Sequence, residues 1–111
     1  MHVELTPETL AIQLGYPAND AVCAQAKRAM DNTPGFDHFA RHLLSLQDTI
    51  VPLDGYLAFS NSRDAIKIKT SATTSEAIDA YAMALERWGS KYKVALELVN
   101  GTQTYYIIGQ H

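Results

Sequence analysis

Cysteine is nearly absent from this 111-residue sequence, and the one present, Cys23, cannot form an internal disulfide. The sequence has no CxxC pair, the usual start of a zinc site, and no apolar run of about 18 residues, the length that crosses a bilayer. Residues 1–5 lack the basic region and apolar run of a secretory signal. We therefore expect a cytoplasmic protein that does not enter a membrane.

Basic residues are not in excess either, and the net charge is −3. A chain that binds phosphate backbones usually presents a basic surface, so nucleic acid is not an expected partner. Apolar residues are plentiful, at 47% against 19% charged, which is typical of a globular fold. The length predicts one domain, residues 1–111, with a helical part at about 6–50 and a ββαββ part at about 55–109.

The N-terminal segment predicts two short helices. Thr6 can cap a first helix that begins at Pro7, because proline suits the first helical position. Asn19 or Asp20 can cap a second helix that runs to about Met30. The predicted buried side of this second helix consists of Val22, Cys23, Ala26, Ala29 and Met30.

A third helix is predicted from about Gly35 to Thr49, since apolar residues recur there at three- and four-residue steps. Its predicted buried side consists of Phe36, Phe39, Ala40, Leu43, Leu44, Gln47 and Ile50. The opposite side carries His38, Arg41 and His42. Histidines four residues apart share one side of a helix and can bind one metal ion, but no further ligand accompanies them. We therefore predict solvated histidines and no metal site, with a partner-binding face as the alternative.

The second half of the chain predicts strands and one long helix. Residues 55–60 and 65–69 form the first strand pair, and the second of these alternates apolar and charged residues. Thr73 and Glu76 have capping-box spacing for a helix over 74–88. Gly89 is expected to end this helix.

A hairpin is the clearest local prediction. Asn100-Gly101 separates two apolar segments, residues 93–99 and 102–108, and suits a two-residue type I′ turn that needs positive φ at both central positions. The whole order predicts an α+β fold in which N-terminal helices precede a ββαββ unit. Its four-stranded, mainly antiparallel sheet is expected to pack with helices.

One face of this predicted sheet gathers polar and aromatic candidates. They are Lys67, Lys69, Glu97, Thr104, Tyr106 and Ile108. If strand 65–69 lies beside strand 93–99, a cross-strand Lys–Glu pair is expected. A partly exposed sheet face explains these residues without any chemical role. Tyr106 and Ile108, however, make this face more apolar than a face that only contacts solvent.

Three functions are compatible with these features. No catalytic constellation or cofactor motif is present, so we favour a non-catalytic binding or protein-interaction module. Its partner is another protein or a second copy that pairs with strand 102–108 at a sheet edge.

The first alternative is a small enzyme or ligand-binding protein. Its pocket would lie between the sheet and the N-terminal helices and use Lys67, Glu97, Tyr106 and His38 or His42. The second alternative is a helix-turn-helix DNA binder formed by the first two helices. For DNA, the second helix offers only Gln25, Lys27 and Arg28.

Overall fold

The computed structural model describes residues 6–60 and 63–110 of the chain. Within these residues, five α-helices, one 3₁₀ helix and four strands follow one another. They are α1 (Pro7–Gln13), α2 (Asp20–Asp31), α3 (Phe36–Phe39), α4 (His42–Ile50), the 3₁₀ helix Val51–Leu53, β1 (Gly55–Phe59), β2 (Ile66–Thr70), α5 (Ser75–Tyr92), β3 (Val94–Leu98) and β4 (Tyr105–Gln110).

The four strands form one sheet in the order β1-β2-β4-β3, and every neighbouring pair is antiparallel. The predicted α+β fold, with helices first and a ββαββ unit after them, is confirmed. The expectation that strand 102–108 lies at an edge is wrong, because β4 lies between β2 and β3. β1 and β3 are the two edges. β4 has strand neighbours on both sides, which suits its run of large apolar residues.

The hydrophobic core lies between one face of the sheet, here called the inner face, and the helices. From the sheet it contains Leu57, Phe59, Ile66, Ile68 and Ile107, all buried. α5 packs on the inner face, where the ring of Tyr81 contacts the ring of Tyr105 and its hydroxyl donates to the Ile68 carbonyl. From α3, α4 and α5 come Phe39, Leu43, Leu46, Ile50, Leu85 and Trp88.

The first two helices begin as predicted. The Thr6 hydroxyl accepts a hydrogen bond from the Thr9 N–H, and the Asn19 side chain accepts one from the Val22 N–H, so both residues satisfy free donors at a helix start. In α2, Ala26 and Ala29 are buried.

The predicted third helix is two helices, because the chain turns at Ala40 and Arg41 between α3 and α4. The buried side of α4 also differs in part from the predicted one. Leu46 is fully buried, whereas Leu44, predicted to be inside, is 51% exposed. Apolar spacing alone did not reveal the turn, since Phe36, Phe39 and Leu43 fit one continuous stripe equally well.

α5 begins one residue later than predicted and ends four residues later. Thr74 is its cap, accepting from the Ala77 N–H, in place of Thr73. The helix passes through Gly89 and ends at Tyr92, and its C-cap, Lys93, has a left-handed φ of 57°. Gly89 is buried, and a Cβ there would lie 3.1 Å from the Val94 carbonyl oxygen. This glycine therefore allows close packing of α5 on β3.

The hairpin between β3 and β4 forms, but its loop is wider than predicted. Val99 N–H donates to the Thr104 carbonyl and Thr102 N–H to the Val99 carbonyl, so four residues lie between the last paired positions. Gly101 has φ +77°, while Asn100 does not adopt the positive φ of a type I′ turn. The Thr102 hydroxyl stabilises the wider loop by donating to Val99 and accepting from the Thr104 N–H.

None of the helices within residues 6–60 and 63–110 has the length and apolar character needed to cross a membrane.

Candidate functional site

The charged and aromatic candidates lie on the outer face of the sheet, opposite α5. Lys67 of β2 is paired with Tyr106 of β4, and Tyr106 is paired on its other side with Glu97 of β3. Lys69 is paired with Tyr56 of β1. The structure therefore brings Lys67, Tyr106 and Glu97 together as a row across three strands.

Arg63 completes this row in a way the sequence did not predict. Its guanidinium lies 4.3 Å from the centre of the Tyr106 ring and 3.5 Å from a Glu97 carboxylate oxygen. The Tyr106 hydroxyl is 3.1 Å from the Ser60 hydroxyl. Strand 65–69 does not lie beside strand 93–99, because β4 separates them, so the condition for a directly cross-strand Lys–Glu pair is not met. These contacts make the Tyr106 side chain part of the fold's own packing.

Thr104 lies just before β4, and Ile108 lies within β4. Thr104 is the loop residue whose carbonyl accepts from Val99. Ile108 is the extra residue of a β-bulge, since Leu96 is paired with Ile107 and Ala95 with Gly109.

The two histidines do not share a helix. His38 lies exposed on α3, whereas His42 opens α4 and stacks on the Tyr92 ring with 3.8 Å between ring centres. Burial lowers the pKa of His42, and the positive charges of Arg41 and Lys91 add to this effect. Within the described residues, no three His, Cys, Asp or Glu side chains are placed to hold a metal ion.

The residues expected to line a pocket beside the N-terminal helices lie on two sides of the sheet. Lys67, Glu97 and Tyr106 are on the outer face, while His42 lies on the helical side, where its carbonyl accepts from the Trp88 indole N–H. The space between sheet and helices is filled by the core. The geometry therefore does not bring these groups into one pocket.

The side chains that α2 could offer to DNA contact the protein itself. The Gln25 amide donates to the Ser60 carbonyl at 3.0 Å, and Arg28 forms an ion pair with Asp64 at 3.3 Å. Lys27 is 2.7 Å from Asp31 of the same helix. The contacts of Gln25 and Arg28 hold the α2 surface against the β1–β2 connection.

A groove that sequence reasoning missed lies between α5 and the edge strand β3. Its volume is about 550 Å³. It is lined by Asp79, Ala82, Met83, Leu85, Glu86, Leu96 and Tyr105, here called the α5–β3 groove. Its lining is mainly apolar, and Met83 is 51% exposed. On α5 these residues form a second stripe at three- and four-residue steps, but only the strand order shows that the stripe borders an edge.

The edge of β3 adds backbone groups that have no strand partner within residues 6–60 and 63–110. Val99 is hydrogen-bonded to Thr104, so the alternation of an antiparallel ladder makes Glu97 the next bonded position. Leu98 and Leu96 then turn their N–H and C=O groups away from β4. Leu98 follows Leu96 on the same side of the strand, and its side chain is 47% exposed.

Comparison of the chain with protein-family models, with curated proteins and with solved structures gave no match.

Proposed function

We propose that this protein is a non-catalytic protein-interaction module that binds a partner protein through the α5–β3 groove. The observation that carries this proposal is a mainly apolar groove that runs beside an unpaired strand edge. Contiguous exposed apolar surface on a folded protein is typical of an interaction site.

Met83 has a large exposed apolar surface that a partner in the groove would bury. Half of its surface is exposed, and full burial of a Met side chain is worth about 1.5–3 kcal/mol, so covering the rest supplies on the order of 1 kcal/mol. Ala82, Leu96 and Tyr105 are partly exposed in the same groove and add to this gain. A partner that inserts apolar side chains here is therefore stabilised mainly by burial of apolar surface.

The outer face of the sheet is the weaker candidate for the partner surface. Its central aromatic residue, Tyr106, is already covered by the Arg63 guanidinium, and Arg63 is paired with Glu97. A partner would have to displace these contacts before it gained new ones. The α5–β3 groove requires no such rearrangement.

A random peptide library displayed on phage tests this function without assuming a partner sequence. The wild-type protein should enrich peptides whose binding is weakened at least ten-fold by Met83→Lys, which places a charge in the groove. Leu44→Lys is the matched control, because Leu44 is a large apolar residue with the same 51% exposure but lies on α4. This control should bind the enriched peptides as the wild type does.

Circular dichroism and thermal melting establish that both variants are folded. The proposal is contradicted if the library yields no binders, or if the binders ignore Met83→Lys or respond equally to Leu44→Lys.

A further inference from the structure

Two acidic side chains mark the rim of the α5–β3 groove. Asp79 and Glu86 are both exposed, and neither is in an ion pair within the described part of the chain. They are seven residues apart on α5, which places them about 10 Å apart along the helix, with Ala82 and Met83 between them. An occupant with cations near both ends and apolar groups between them complements this arrangement in charge.

The floor of the groove meets the free edge of β3. Leu96 and Leu98 direct their side chains to the groove side, while their backbone N–H and C=O groups point away from β4. An extended segment laid along this edge can pair with both residues and still project alternate side chains into the groove.

We infer that the occupant of the α5–β3 groove is an extended segment of another protein that adds a fifth strand to β3 and carries lysine or arginine beside apolar residues. This inference rests on the proposed function and names the class of partner. Strand residues four positions apart are separated by about 13 Å, close enough to the spacing of Asp79 and Glu86 for two flexible cationic side chains to reach both carboxylates.

A second copy of the chain is a poorer occupant. Two copies related by a two-fold axis at Met83 would place their α5 helices antiparallel, so that Asp79 of one copy faces Glu86 of the other. Like charges would then meet at both rims, and the net charge of −3 adds long-range repulsion.

A nine-residue peptide with lysine and leucine in turn at its even positions, and threonine at its odd positions, tests the inference. In a strand the even positions face one side, so this peptide presents alternating cations and leucines to the groove. We expect it to bind at least five-fold more tightly than the same peptide with glutamate in place of lysine, measured by calorimetry at low salt. Binding should weaken as salt is raised, because exposed charges are screened.

Removal of the two carboxylates tests the charge argument from the protein side. The double variant Asp79→Asn with Glu86→Gln should weaken binding of the peptide roughly two- to thirty-fold, since each of the two exposed ion pairs contributes about 0.2–1 kcal/mol. The control, Glu8→Gln with Asp48→Asn, removes the same charge from α1 and α4 and should leave the affinity unchanged.

Backbone pairing has its own readouts. Hydrogen exchange measured by NMR should slow at the Leu96 and Leu98 amides when the lysine–leucine peptide binds. The same peptide N-methylated at alternate residues loses the donors that a strand needs and should not bind.

The outcomes separate the two proposals. The inference is overturned if binding requires Met83 but has the same affinity without the Asp79 and Glu86 carboxylates. It is also overturned if binding leaves hydrogen exchange at the Leu96 and Leu98 amides unchanged. In both cases the proposed docking function is retained. Absence of any binder that requires Met83 overturns both. In analytical ultracentrifugation we expect a mass of 12.2 kDa, that of one chain. A particle of twice that mass, dissociated by Met83→Lys, would show that a second copy binds the groove and would overturn the inference.

Discussion

Removal of one hydroxyl at Tyr81 tests how the hairpin is held to the core. The side chain is fully buried, and its hydroxyl lies 3.0 Å from both the Ile68 carbonyl in β2 and the Gln103 carbonyl in the hairpin loop. One donor thus connects α5, β2 and the loop. Tyr81→Phe removes this donor and preserves the ring, so the change isolates the hydrogen bonds.

The expected loss of stability is about 1–3 kcal/mol. A typical hydrogen bond contributes about 0.5–1.5 kcal/mol net, and a buried carbonyl left without a partner adds a desolvation cost. For a chain of this length, each kcal/mol corresponds to roughly 4–6 °C in melting temperature. Tyr56→Phe, at an exposed position of β1, is the matched control and should change stability by less than about 0.5 kcal/mol.

The pH dependence of stability gives Tyr81 a second signature. Burial raises the pKa of Tyr81, and the neighbouring Tyr105 and Tyr56 add to this effect. Above pH 10 the unfolded chain releases this proton while the folded chain retains it, so stability falls with rising pH by at most about 1.4 kcal/mol per unit. Urea unfolding from pH 8 to 11 should show a shallower fall for Tyr81→Phe. Equal slopes, with a loss below about 0.5 kcal/mol at pH 8, would refute this account of the hydroxyl.

Three further substitutions test other parts of the fold. Because the pKa of His42 is lowered in the folded state, the unfolded chain takes up the proton first, and urea unfolding should show stability falling below about pH 6.5 by more than in His42→Gln. Gly109→Ala should lower the melting temperature more than Gly101→Ala, because φ at Gly109 is +151° and a Cβ there would lie 2.8 Å from the Pro34 carbonyl, whereas Gly101 faces open space. Phe39→Ala should cost about 3–5 kcal/mol in chemical denaturation, because this fully buried ring contacts Trp88 at the centre of the core.

The sequence predicted the hairpin and its faces better than its loop. A two-residue loop would pair Leu96 with Tyr105, whereas the structure pairs Leu96 with Ile107. This displacement of two residues keeps the side chains of Leu96, Glu97 and Leu98 on their predicted faces, and the β-bulge changes the register again beyond Leu96. Tyr106 and Glu97 therefore share a face as expected. The loop length depended on the Thr102 hydroxyl and on the distant Tyr81 hydroxyl, and turn statistics at Asn100-Gly101 contain neither.

In the helical part, the helix ends that depend on local sequence signals were predicted correctly. The features that depend on packing were missed. The caps at Thr6 and Asn19 are local and were correct. The turn at Ala40 and Arg41 has no glycine or proline, so nothing in the pattern separated α3 from α4. Gly89 was expected to end α5, but its role is close packing against β3, a strand that follows the helix.

The α5–β3 groove was beyond sequence reasoning because strand order is a property of the folded sheet. Met83 and Glu86 look like an ordinary exposed helix side in the sequence. They border an edge of the sheet only because β4 pairs with β2 and leaves β3 outside. Sequential strands β3 and β4 pair as a hairpin in either order, so local patterns cannot distinguish the two arrangements.

The two edges of the sheet differ in whether side chains from other elements cover them. At β1 the Tyr16 hydroxyl accepts the Phe59 N–H at 3.2 Å, and α2 packs beside the strand end. Proteins commonly cover or disrupt exposed edges, because an open edge invites pairing with other chains. In the described residues no side chain caps β3 in this way, and the bulge at Ile108 lies on its paired side. Tyr16 and α2 thus cover the end of β1, while the edge of β3 stays accessible beside an apolar groove. This difference supports the proposed strand-accepting function.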